Sequence, residues 1–401
     1  MKKKRFGLLP RIIVAIILGV ALGNVFTEAW IRPFITFNAI FSQFLGFLIP
    51  IIIVGLVTPA IAGIGKDAGK MLVATVAVAY VDTVLCGMLA YGTGSALFPS
   101  MIEGMTATAA GGAHGGIEPY FTIAIPPILD VMSALVLSFI MGLGIAYGNA
   151  PVLKNGADEL MGIVSKVIEK AIIPLLPPYI FGIFLNMTAT GEAYSIMAVF
   201  AKIIVVIFIL HILILLYQFC VAGIVAKRNP LKLLWRMLPA YFTALGTSSS
   251  AATIPVTLKQ TELNGVSKDV AGFTVPLCAT IHMSGSVMKI TACALTICMM
   301  KGMPHDPVLY TGFIMLLSVM MVAAPGVPGG SIMAALAPLA SILGFGEQDQ
   351  ALMIALYIAM DSFGTACNVT GDGAVAILID KMFGKKRKQA AVAAQPVDGE
   401  A

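Results

Sequence analysis

Charge is scarce in this chain. Only 11% of its 401 residues are Asp, Glu, Lys or Arg, against about 25% in an ordinary soluble domain. That scarcity excludes a conventional hydrated surface. With 59% hydrophobic residues and a mean hydropathy of +0.95, the composition is that of a polytopic membrane protein whose first partner is the lipid bilayer. CxxC pairs are also absent: Cys86, Cys220, Cys278, Cys293, Cys298 and Cys367 stand singly in apolar runs, as packed thiols do. No His/Cys cluster has the spacing of transition-metal ligands, which excludes that chemistry. The formal net charge of +5 arises from residues at the ends and in short loops, not from a patch that nucleic acid would need. A small-residue cleavage site is missing after the first apolar stretch, and Gly19 and Gly23 within it suit a first membrane helix.

What is present is a series of apolar segments, at roughly 8–30, 35–64, 70–98, 118–147, 159–187, 194–226, 231–256, 268–300, 308–345 and 348–383. Lys2, Lys3, Lys4 and Arg5 open the chain, and Lys385, Lys386, Arg387 and Lys388 nearly close it. Both termini are therefore expected in the cytoplasm, which requires an even number of crossings. Basic residues recur in alternate loops, at Lys66 and Lys70, Lys154, Lys227 to Arg236, and Lys259 and Lys268. Eight crossings satisfy this pattern if 231–256 and 308–345 each enter and leave on one side. Both are interrupted where such a hairpin would turn, by "GTSSSAATIP" (246–255) and "APGVPGGS" (324–331). The expected fold is all-α: eight transmembrane helices plus two re-entrant helical hairpins. Irregular backbone at membrane depth survives only in protein or beside a wet cavity, so paired interruptions point to a transporter site.

The polar residues that do occur in apolar segments are aligned. On a helix, Asp361, Thr365, Asn368 and Asp372 share a stripe about 60° wide. Two carboxylates on one stripe repel unless a cation lies between them, which favours a ligand and ion site over simple helix pinning. Upstream, "VPLCATIHMSGSVMKI" (275–290) interrupts another apolar run with His282, Ser284, Gly285 and Ser286, and Gly285 is expected to let the helix unwind. Lys289 follows one turn later and calls for an acidic partner. Asp82, in "VAVAYVDTVLCG" (76–87), is a third buried acid. Lys289 is expected to pair with Asp82. His211 reads as a core residue.

Four ordered motifs resemble the dicarboxylate/amino acid:cation symporter family, the glutamate-transporter fold. They are "SSSAATIPVTL" (248–258), "PLCATIHMSGS" (276–286), "GVPGGS" (326–331) and "MDSFGTACNVTGD" (360–372). The tip and the short chain look most similar to the bacterial sodium/serine-threonine branch. The resemblance implies that the acid matching Asp361 holds a substrate amino group. The carboxylate would meet Ser248, Ser249, Ser250 and Asn368, and Thr365 would line the pocket. The second tip, with Val327, Pro328 and Gly329, would close as the extracellular gate. One sodium would use Asp372, Asn368 and carbonyls near Cys278, and another the second tip and Thr280. It further implies a homotrimer in the inner membrane working as an elevator. Residues 1–69 and 118–190 would form the scaffold, 70–98 and 191–384 the moving domain, and 385–401 a cytoplasmic tail.

The departures from that family are informative. Gly364 stands where carriers of acidic amino acids place an arginine, which predicts a neutral pocket. His282, Met283, Ser284, Gly285 and Ser286 replace "NMDGT", removing one sodium-binding amide and one carboxylate. Asp82 falls near the hydroxyl residues of that same site. The expected function is symport of a small neutral amino acid with sodium at reduced stoichiometry. Alternatives are a proton-coupled or sodium-independent carrier in which Lys289 or His282 replaces a cation, a dicarboxylate carrier, or an anion channel. A remote one is an intramembrane aspartyl protease using Asp82 and Asp372.

Overall fold

The structure is a computed structural model that describes residues 8–62, 69–102, 117–148, 150–191, 193–322, 324 and 329–393. Among the described residues every regular element is helical. The first half holds α1 (Leu8–Gly23), α2 (Glu28–Ala62), α3 (Lys70–Ile102), α4 (Val131–Tyr147), α5 (Pro151–Val167), a π-helical turn (Ile168–Ile172), α6 (Ile173–Ala189) and α7 (Ala193–Ala226). The second half holds α8 (Pro230–Thr247), α9 (Ser250–Leu263), α10 (Lys268–Ile281), α11 (Ser284–Lys301), α12 (Pro307–Val322), α13 (Gly330–Ser341), α14 (Glu347–Ala359) and α15 (Asp361–Ala393). Among the described residues five helices are long and apolar enough to cross a membrane, or six if the bent α14–α15 pair is one span. The terminal basic residues Lys2 to Arg5 lie outside the described residues.

Two expected boundaries move for identifiable reasons. The segment 118–147 is helical only from Val131, because Pro126 and Pro127 lack amide donors and clash with the preceding turn. Asp130 then caps the helix by accepting the Ser133 N–H at 2.9 Å. The first helix stops at Gly23, and a new one begins at Glu28. Gly19 and Gly23 form a seam with α6. A Cβ on Gly19 would lie 2.9 Å from the Phe181 carbonyl oxygen, and one on Gly23 would lie 2.6 Å from Thr188 Cβ.

The two interrupted segments become helix pairs. The chain breaks between α8 and α9 at Ser248 and Ser249, and between α12 and α13 after Val322. The members of each pair pack on one another. Around them α15 is packed by α7, α8, α10 and α11, while α11 packs on α3. Every residue of α11 from Ser284 to Cys298 is buried. A helix buried all round has no solvent stripe, so each polar side chain on it must find its partner inside the protein.

Candidate functional site

The chain bends by 64° between α14 and α15, at Met360. The Met360 carbonyl accepts the Gly364 N–H at 3.2 Å and the Lys289 ammonium at 2.9 Å. Lys289 reaches it from α11 with 1% of its surface exposed, and its ammonium also sits 4.0 Å from the centre of the Tyr357 ring. That is a cation–π contact in a dry setting. Gly364 makes the approach possible. A Cβ there would lie 2.3 Å from Lys289 Nζ and 2.4 Å from its Cε. The space in front of Gly364 is therefore filled by the end of the Lys289 side chain from another helix.

The interruption in the preceding run falls at His282 and Met283, between α10 and α11. Asn368 closes the exposed start of α11: its Oδ1 accepts the Gly285 N–H at 2.8 Å and the Ser286 N–H at 3.3 Å. Those donors fix the amide's orientation. Its Nδ2 donates to Ser286 Oγ at 3.1 Å and faces Met283 Sδ at 3.3 Å. Ser286 Oγ in turn bonds the Tyr357 hydroxyl at 2.9 Å. Gly285 is inside the helix rather than in the unwound part. Its role is close approach, since a Cβ would meet Cys367 Cβ at 2.6 Å and the Gly364 carbonyl oxygen at 2.8 Å. Backbone cannot yield as a flexible side chain can. Gly285→Val is thus expected to cost about 1–3 kcal/mol or more, read as a lowered melting temperature of the purified protein. An unchanged melt would show that the two helices can part.

His282 settles the partner of Asp82. Its Nε2 lies 2.8 Å from Asp82 Oδ2 and its Nδ1 lies 2.9 Å from Asp372 Oδ1, with the imidazole wholly buried. Gln218 Nε2 adds a bond to Asp82 Oδ2 at 2.6 Å and one to Ser284 Oγ at 3.1 Å. The expected Lys289–Asp82 pair is thereby corrected: Asp82 belongs to His282 and Gln218, and Lys289 to the Met360 carbonyl. Two hydrogen bonds along an Asp–His–Asp chain need two protons, and a neutral imidazole brings one. Gly371 admits the ring, since a Cβ would lie 2.8 Å from His282 Cε1. A cavity of about 320 Å³, lined in part by Val78, Asp82, Tyr217 and Gln218, opens beside the trio. Larger cavities of about 470 and 480 Å³ lie by Ser42 and Tyr179, away from Asp361 and Lys289.

The ion ligands suggested by the resemblance are differently engaged. Asp372 Oδ1 is taken by His282. The Cys278 carbonyl accepts the His282 N–H at 2.9 Å, and Thr280 Oγ1 donates to the Leu277 carbonyl at 2.8 Å. No cluster of three or more His, Cys, Asp or Glu poised for a metal occurs among the described residues.

The helix-pair tips approach the start of α15. Ser248 adopts the left-handed conformation at φ 50° and its hydroxyl lies 2.6 Å from that of Ser362. Ser249 caps α9 by accepting the Ala252 N–H at 3.3 Å, and Ser250 is buried. From the second tip, the Gly329 N–H donates to Asp361 Oδ2 at 3.0 Å. Val327 and Pro328 lie outside the described residues. Thr365 Oγ1 donates to the Asp361 carbonyl at 3.0 Å, so its hydroxyl proton is used within α15. Among the described residues the ion pairs are His282–Asp82, His282–Asp372 and Lys301–Asp349. Asp361 and Lys289 interact electrostatically without touching. Sequence reasoning passed over Gln218, Tyr357 and Ser362. Gln218 in an apolar helix was a detectable signal, whereas Tyr357 and Ser362 carried none.

Comparison with known proteins places the sequence in a family. The sequence model of the sodium:dicarboxylate symporter family matches residues 8–382. The chain is 28% identical over 400 aligned residues to the serine/threonine transporter SstT of Acinetobacter baumannii strain AYE, covering 92% of this chain and 95% of that protein. The SstT of Acinetobacter baumannii strain SDF is 27% identical with the same coverage.

Proposed function

We propose, from the premise that the chain belongs to the sodium:dicarboxylate symporter family, that it takes up a small neutral amino acid of the serine, threonine or alanine kind together with sodium. A family of symporters makes the chain a transporter and not an enzyme. The aspartyl-protease alternative also loses its chemistry, because Asp82 and Asp372 are both bonded to His282 instead of sharing a water between them.

The observation that carries the reading is Asp361. It is 7% exposed, stands at the first residue of α15, and has no cation within ion-pair distance among the described residues. A buried carboxylate without a contacting cation calls for a cationic ligand, and the ammonium of an amino acid supplies one. Ser248 and Gly329 bring the two tips to the start of α15 through Ser362 and Asp361, and with Ser249, Ser250, Thr365, and Val327 and Pro328 of the second tip they are the remaining substrate contacts of this reading. The Gly329 N–H bond to Asp361 supports that tip as an extracellular gate, because a ligand at Asp361 would be felt there directly.

For sodium, the C-terminal turn of α10 at Cys278 and Thr280 is the better place, where the Cys278 carbonyl keeps a second lone pair beside its bond from the His282 N–H. Helix C-termini present unpaired carbonyls and the negative end of the dipole. Asp372 and Asn368 are already engaged by His282 and α11, which supports a reduced sodium stoichiometry. Eight crossings with two re-entrant hairpins, an elevator motion of 70–98 and 191–384 past the scaffold, a homotrimer, an inner-membrane location and cytoplasmic termini complete the proposal. Uptake of labelled serine into proteoliposomes, driven separately by a sodium and a proton gradient, tests it. Sodium alone should drive concentrative uptake. Accumulation with a proton gradient and no sodium would replace it by the proton-coupled reading that His282 favours, and conductance without accumulation would mark a channel.

A further inference from the structure

The buried ammonium of Lys289 is left over from everything described so far. An ammonium has three donors, and here one goes to the Met360 carbonyl while the Tyr357 ring covers a face. Burying a charge with a single carbonyl as its hydrogen-bond partner among the described residues is costly. No carboxylate stands within ion-pair distance of it among the described residues. Asp361, one residue beyond the carbonyl that Lys289 holds, is in the complementary position: a buried carboxyl bonded to the Gly329 N–H, with no cation at ion-pair distance among the described residues, yet electrostatically coupled to Lys289.

The amide expected to receive a substrate carboxylate is meanwhile committed elsewhere. Asn368 holds two backbone donors with its oxygen and spends its nitrogen on Ser286 and Met283. Gly364 has no side chain, and the ammonium occupies the space that its side chain would take.

We propose that Lys289 binds the substrate's α-carboxylate, so that Asp361 and Lys289 together form a receptor for one zwitterion. This rests on the amino-acid reading above and deepens it. One fixed anion and one fixed cation match the two charges of a neutral amino acid. A second carboxylate on the substrate would find no partner, and a ligand lacking its carboxylate would leave the ammonium unpaired. Gly364 is then a specificity residue because it is the vacancy into which the cation is threaded.

The test compares serine with serinamide, which keeps the ammonium and hydroxyl but has no carboxylate, as competitors of labelled serine on the purified full-length protein in lipid. Wild type should prefer serine by on the order of 100-fold, as expected for a desolvated charge pair. Lys289→Met should bring the two ligands to within about 3-fold by weakening serine alone. Retention of the wild-type preference in a folded Lys289→Met protein overturns the proposal, and so does near-equal binding of the two ligands by wild type. Should Lys289→Met not fold, judged by size exclusion and melting, Lys289→Ala combined with Gly364→Lys returns the ammonium from the opposite helix. That variant should regain most of the preference for serine, and a folded double variant without it counts against the proposal. Failure of wild type to bind any of serine, threonine or alanine would instead reject the functional reading itself. Strong aspartate competition that vanishes in Lys289→Met would show the ammonium reading a second carboxylate, which also overturns the assignment.

Discussion

Asp361→Asn is expected to lower serine affinity by at least about 100-fold while the protein still folds and purifies as wild type does. The asymmetry follows from what each state loses. With the carboxylate gone, the incoming ammonium must shed its water for a neutral amide in a buried setting, and truncating one partner of such a pair costs roughly 2–5 kcal/mol. The empty protein loses far less. Asparagine has the same shape, and its carbonyl still accepts the Gly329 N–H that now meets Oδ2 at 3.0 Å. Binding of labelled serine and a melting curve on the same preparation separate the two effects. Unchanged affinity in a folded variant would remove Asp361 from the substrate site, and a collapse of stability would make it structural.

His282→Ala should have the larger effect on the protein itself. It would leave Asp82 and Asp372 facing one another across an empty ring site in the interior. Removing the shared member of a buried charge network costs about 3–5 kcal/mol, a large share of ordinary net stability. Loss of folded protein or of all uptake is the expected result. Adding Asp82→Asn removes one of the two stranded charges, so the double variant should be more stable than His282→Ala alone. That sign reversal is what a shared network predicts and independent sites do not. Gln218 Nε2, at 2.6 Å from Asp82, can still donate to the new amide oxygen. A single variant that melts like wild type would mean that the trio carries no structural charge.

The legible part of this molecule was the part written in periodicity and composition. Asp361, Thr365, Asn368 and Asp372 could be placed on one stripe because a single helical period relates them. The breaks at Ser248–Ser249 and His282–Met283 showed because polar residues and glycine are costly in an apolar run. Partners were not legible. Lys289 could be seen to need something, but its acceptor is the main-chain carbonyl of Met360, at a bend between two helices, and every residue has such a carbonyl. The same limit reversed the reading of Gly285: a glycine that loosens a helix and one that admits a neighbouring helix look alike in sequence. His282 bridges residues 200 and 90 positions away, and no local pattern encodes that. The tip at Val327 and Pro328 rests on motif resemblance alone.

Ser248 carries a consequence for anyone engineering this protein. A side chain held at φ 50° sits in a region that costs a non-glycine residue about 1–2 kcal/mol, at a helix end where glycine is the usual occupant. Its hydroxyl recovers part of that through Ser362. Variants sorted for heat resistance and variants sorted for uptake will therefore diverge at residue 248. The first sort will tolerate or enrich glycine there. The second will retain the serine that ties the first tip to the start of α15.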